Sequence, residues 1–185
     1  MSSPALRTWT REEFSRAAEA GVFRAEERLE LLDGQIVTKM TQNAPHVACT
    51  QLIAEWLRPW LPAGHSLRIQ FPLALSYRSQ PEPDLAVVSG SPRDYSINHP
   101  TPDRVRMIVE VADSSIREDL GSKVPLYAQE GIPELWIVDL AGRRIVMHSQ
   151  PEGREYGLVR MVHAEDNIAP PFAGEHDTRV SDLLP

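Results

Sequence analysis

Residues 81–88 read "PEPDLAVV", and residues 106–115 read "RMIVEVADSS". In the first, Asp84 follows a proline and precedes Leu85, Ala86, Val87 and Val88. In the second, Glu110 stands among Ile108, Val109 and Val111. Short apolar runs bounded by turn residues predict buried strands. A carboxylate buried in a strand is costly unless it is paired, hydrogen-bonded or bound to a metal. Two readings are open. In one, Asp84 caps a strand start and Glu110 forms a salt bridge to an arginine such as Arg106. In the other, the two acids converge on a hard divalent cation of the Mg²⁺ kind, and Lys123, near the start of the next helix, brings an ammonium to it.

The flanking sequence supplies the elements around these strands. Thr10 and Glu13 stand at capping-box spacing, and Gly21 is a stop, so 10–21 predicts a short helix. "RLELLDGQIVTKM" predicts a hairpin turning at Asp33-Gly34. "APHVACTQLIAEWLRPWLP" predicts an amphipathic helix through Ile53, Trp56, Leu57 and Trp60 that Pro59 ends or kinks. "SLRIQFPLALS" alternates as a strand, with Leu67, Ile69 and Phe71 on one side. Residues 89–103 predict a loop. "REDLGSKVPLYAQEG" predicts a helix that begins near Gly121, because Pro125 fits best in a first turn, or that kinks there. "PELWIVDLAGRRIVMHSQ" predicts two strands joined at Ala141-Gly142, and "REYGLVRMVH" one more. The tail has no strong period. The fold class expected is a mixed α/β or α+β domain with a central sheet, a single unit over 1–185.

The 185 residues suit one core, and 42% hydrophobic with 24% charged content is ordinary for a globular chain. No apolar run reaches membrane-span length, and the N-terminus has no apolar signal region, so the expected compartment is cytoplasmic. Cys49 is the single cysteine, which excludes an internal disulfide and a cysteine-rich zinc site. A net charge of −7 argues against nucleic-acid binding by bulk charge but leaves room for a local basic strip. Of 19 basic residues only Lys39 and Lys123 are lysines, so each lysine is a candidate for a special role. The tryptophans, at helix and strand positions, predict core or dimer packing rather than base stacking.

The ordered set "LELLDGQIV", Pro45-His46, "PEPDLAVV", "MIVEVADSS", "GSKVPLYAQEGIPELWIVD" resembles the Uma-two family of restriction-endonuclease-like proteins, within the PD-(D/E)XK nuclease superfamily. The resemblance implies a restriction-endonuclease-like central mixed β-sheet flanked by helices. It implies a Mg²⁺- or Mn²⁺-dependent endonuclease acting on phosphodiester bonds, with DNA as the nucleic-acid partner, and a homodimer. Carried onto this chain, the metal ligands are Asp84, Glu110 and the Val111 carbonyl, with Glu30 as an added ligand; the catalytic residues are Asp84, Glu110 and Lys123. His46 and Arg117 are substrate-binding candidates. One departure is plain. The superfamily pattern has a lysine two residues after Glu110, where this chain has Ala112, so the resemblance moves that role to Lys123. The competing expectations are an exposed Glu30, a capping role for His46, and a non-catalytic binding or assembly module that keeps the fold.

Overall fold

The computed structural model describes residues 6–24, 26–39, 42–113, 116–174 and 176–185, with the side chains of 116–120 outside the description. Helix α1 (Arg11–Glu19) begins at Thr10, whose hydroxyl accepts from the Glu13 amide while the Glu13 carboxylate accepts from the Thr10 amide, so the capping box forms as the sequence predicts. Strands β1 (Leu29–Leu32) and β2 (Gln35–Thr38) pair antiparallel. Asp33 and Gly34 both take positive φ, 48° and 80°, which matches the twist of a two-residue hairpin.

The centre is a six-stranded mixed sheet in the order β3-β4-β5-β6-β7-β8. Its strands are β3 (His65–Ile69), β4 (Leu85–Ser89), β5 (Val105–Ala112), β6 (Glu134–Asp139), β7 (Arg144–Glu152) and β8 (Glu155–His163). Only the β5–β6 neighbours run parallel. Parallel neighbours need a crossover, and α3 (Ile116–Gln129) provides it. Two short strands, β9 (Asn167–Ile168) and β10 (Thr178–Arg179), pair in the C-terminal region.

Side-chain alternation sorts β4 and β5 between two cores. Leu85, Val87, Met107 and Val109 pack with Cys49, Ile53 and Leu57 of α2 (Ala44–Leu57). Ala86, Val88 and Ile108 pack with Leu126 and Tyr127 of α3. The sheet is therefore covered by α2 on one face and α3 on the other, which explains why the strands read as continuous apolar runs. Trp56 stacks on Trp136 with centroids 6.1 Å apart, inside the core as expected.

Two expectations need correction. Helix α3 starts at Ile116, so Pro125 lies inside it rather than in its first turn. The residue four before it is Gly121, where an added Cβ would meet nothing within 4 Å. Pro125 has no N–H to donate to the Gly121 carbonyl, and tertiary packing of Leu126 and Tyr127 carries the helix through. Strand β3 stops at Ile69 instead of continuing to Phe71, which is 56% exposed. Gln70 ends the strand by adopting φ 55°, a conformation rare for a non-glycine residue.

Candidate active site

The site lies where β4 begins and β5 ends. Leu85 pairs with Val109, so continuing the antiparallel register sets Asp84 opposite Glu110. Three carboxylates are buried here: Glu30 of β1 and Asp84 are each 2% exposed, and Glu110 is 4% exposed. Lys123 of α3 reaches back across the crossover. Its Nζ donates to Glu30 Oε1 at 3.0 Å and to Glu110 Oε1 at 3.1 Å. Tyr127, four residues on and on the same helix face, donates its hydroxyl to the same Glu110 oxygen at 2.6 Å. The Glu82 amide donates to Glu30 Oε1 at 2.7 Å.

Asp84 is held from the other side. Its Oδ2 accepts from the Val111 amide at 2.9 Å and lies 3.1 Å from His46 Nε2, which makes Nε2 the protonated nitrogen. Its Oδ1 accepts from Gln70 Nε2 at 3.2 Å and lies 3.6 Å from Lys39 Nζ. The turn at Gln70 thus serves the site: its left-handed backbone brings the side chain onto Asp84. His46 comes from the first turn of α2, whose N-cap Asn43 accepts from the His46 amide at 3.1 Å. Asn43 in turn donates its side-chain amide to Asp113, just past β5.

The electrostatics follow from this packing. Burial alone would raise Asp84, but the His46 contact, the Lys39 charge and the Val111 amide together hold it below the usual aspartate value. Burial pushes Glu110 up; the Lys123 charge opposes that, and the Asp84 and Glu30 charges add to it. Burial would lower Lys123, but the Glu110 and Glu30 charges outweigh it and hold the ammonium above its usual value. Burial, with Glu110 beside it, pushes the Tyr127 phenol well up, so it stays a donor.

The structure brings together Asp84, Glu110, Val111, Lys123, Glu30 and His46. Glu30 is buried rather than an exposed strand residue. His46 contacts Asp84 in addition to its place at the helix start. The salt bridge from Glu110 to Arg106 does not form: Arg106 is exposed, and the cation on Glu110 is Lys123. Ala112 closes β5, and the ammonium expected there arrives from α3. The Arg117 side chain lies outside the described residues. Lys39, Gln70, Glu82 and Tyr127 were not among the expected site residues. Usable signals were the rarity of lysine for Lys39, the place four residues after Lys123 on one helix face for Tyr127 and nearness to the Asp84 strand for Gln70; only the fold brings Glu82 in.

Fitness for a divalent ion can be judged from the donors. Among the described residues, no group of three or more His, Cys, Asp or Glu side chains stands at metal-ligand spacing. Mg²⁺ does not require such a cage; one or two carboxylates with water suffice. Three buried carboxylates face two ammoniums, Lys39 and Lys123. All bonds to Glu30 and Glu110 from described donors fall on Oε1. The set is hard-oxygen, carries excess negative charge and has an oxygen to spare on each glutamate, so it suits a hard cation.

A solved structure described as a "putative nuclease belonging to DUF820 from Anabaena variabilis" is similar, with a TM-score of 0.72 and 14% identity over 94% of this chain and 96% of that one. At that identity the likeness establishes the fold, a mixed sheet with few helices. Part of a cryoEM DrdV–DNA complex superposes at a TM-score of 0.35 and 16% identity, over 60% of this chain and 9% of that one, too weak a likeness to argue from. No curated protein matches. No described helix is long and apolar enough to cross a membrane. The sequence matches the family model Uma2, described as "Putative restriction endonuclease", over residues 11–178. With nearly the whole length matched and the expected sheet in place, the chain belongs to the Uma2 family.

Proposed function

We propose that this protein is a divalent-metal-dependent endonuclease that hydrolyses phosphodiester bonds in DNA. The observation that carries the reading is the seat of Lys123, whose Nζ lies 3.1 Å from Glu110 and 3.0 Å from Glu30 beside the buried Asp84. Asp84, Glu110 and the Val111 carbonyl would hold Mg²⁺ or Mn²⁺, with Glu30 as a further oxygen. When bound, such an ion supplies polarisation of a phosphoryl oxygen and a more acidic bound water. The chain's own residues do the rest. His46, Gln70 and the Val111 amide fix Asp84 in one orientation, and Tyr127 does the same for Glu110. Lys123 stays protonated and places positive charge where a phosphate gains negative charge in the transition state.

The test is cleavage of a mixed DNA panel in Mg²⁺ and in Mn²⁺. Wild type is compared with Asp84→Ala and Lys123→Ala. Loss of metal-dependent cleavage in both variants is expected, and wild-type rates in both would end the assignment.

A second reading, a non-catalytic binding or assembly module, draws support from one observation: both Asp84 oxygens already have protein partners. It predicts no Mn²⁺ uptake by calorimetry and unchanged or higher stability in Asp84→Asn. Mn²⁺ binding that Asp84→Asn removes would exclude it.

A further inference from the structure

The chain has two lysines among 19 basic residues, and both reach this one site from different directions. Lys123 serves the Glu110 side. Lys39, just past β2, serves the Asp84 side, 3.6 Å from Asp84 Oδ1. Its amide donates to the Arg28 carbonyl at 2.7 Å, which carries the hairpin one residue beyond its named strands and aims the side chain inward.

The two ammoniums are held differently. Each has three N–H donors. Lys123 directs two of them at carboxylates. Lys39 directs one at the neutral carbonyl of Glu82, and its separation from Asp84 exceeds hydrogen-bond length. No other described acceptor meets it. A contact to a neutral carbonyl is weaker than one to a carboxylate, so Lys39 can exchange its partner and Lys123 cannot do so as readily. The charge balance points the same way. An incoming phosphate meets a site with more carboxylates than ammoniums, and it needs a cation whose donors are not already committed. A compact ammonium on a flexible stem is suited to a single phosphate oxygen.

We propose that Lys39 is the ammonium that engages a phosphate of the bound nucleic acid, while Lys123 remains seated between Glu30 and Glu110. The proposal rests on the nuclease reading above and assigns the two lysines separate tasks. It places substrate contact at Lys39, just past β2, on the Asp84 side of the site that His46 of α2 also lines.

Binding of a fluorescently labelled DNA duplex, measured by anisotropy without Mg²⁺, tests it across a salt series. The variants are Lys39→Gln and Lys39→Arg. Loss of one phosphate contact lowers the slope of log affinity against log salt by about 0.9. Lys39→Gln is expected to show that drop, and Lys39→Arg to keep the wild-type slope. The wild-type chain gives a second measurement that needs no variant. Acetylation of its two lysines is read by mass spectrometry, with Lys39 expected to be protected by saturating duplex. DNA binding with an unchanged slope in Lys39→Gln, or with unchanged Lys39 acetylation, overturns this proposal alone. A wild type that binds neither duplex nor single-stranded DNA without Mg²⁺ and cleaves neither with it overturns the nuclease reading and this proposal together.

Discussion

Lys123→Met removes the ammonium from between two buried carboxylates while keeping most of the side-chain volume. The side chains of Lys123, Glu30 and Glu110 are 8%, 3% and 5% exposed, so water does not replace the lost contacts. Breaking a buried ion pair by deleting one partner costs about 3–5 kcal/mol, because a charge is left uncompensated. For a chain of this size each kcal/mol moves the melting temperature by about 2–4 °C, so Lys123→Met is expected to melt about 6–20 °C lower. Urea denaturation should show a lower midpoint at an unchanged slope. The double variant Lys123→Met with Glu110→Gln should recover part of the loss, since the amide needs no counter-charge. A coupling of about 0.5–3 kcal/mol between the two sites is expected. A loss under about 1 kcal/mol, the range of exposed pairs, would refute the claim that Lys123 neutralises a buried site, as would strict additivity in the double variant.

Gly121→Ala should stabilise α3 by about 1 kcal/mol, because the position is helical and an added Cβ meets nothing within 4 Å; a lower melting temperature would contradict this. Burial pushes the Cys49 thiol up to about 12, and its Sγ donates to the Leu183 carbonyl at 3.3 Å. Iodoacetamide at about pH 8 should therefore leave the native chain unlabelled and label it in urea. Burial lowers His148 below the usual histidine value, so the unfolded chain takes up that proton more readily. The His148 contribution to stability is complete above the unfolded value of about 6.5 and is lost as pH falls through the folded one. His148→Gln should accordingly lose less stability than wild type between about pH 7.5 and pH 5 in thermal melts; parallel curves would contradict the assignment.

Local signals carried most of the architecture. The capping box at Thr10 and Glu13, the Asp33-Gly34 turn, the apolar runs of β4 and β5 and the Pro59 stop each depend on residues within a turn or two of one another. That is why they were legible. The pairing of Asp84 with Glu110 was one of two readings the strands left open, and the family resemblance favoured it. Pro125 misled because local rules set a proline at a helix start, whereas long-range packing of Leu126 and Tyr127 holds the longer helix. Glu30 looked like an outward residue of an alternating strand. Its burial depends on where the β1–β2 hairpin docks, and no local pattern encodes that.

By itself, the amino-acid order determined which strands are buried, that two of them carry acids, and that lysine is scarce. The tertiary structure alone decided who compensates whom. It seats Lys123 rather than Arg106 on Glu110, folds Gln70 back onto Asp84, and brings Lys39 to Asp84 from 45 positions away in the sequence. The reason is physical. An apolar run marks its strand as buried through its own neighbours in sequence, whereas charge compensation acts over a few ångströms of space, and only the folded sheet with its crossover helix makes those distances short.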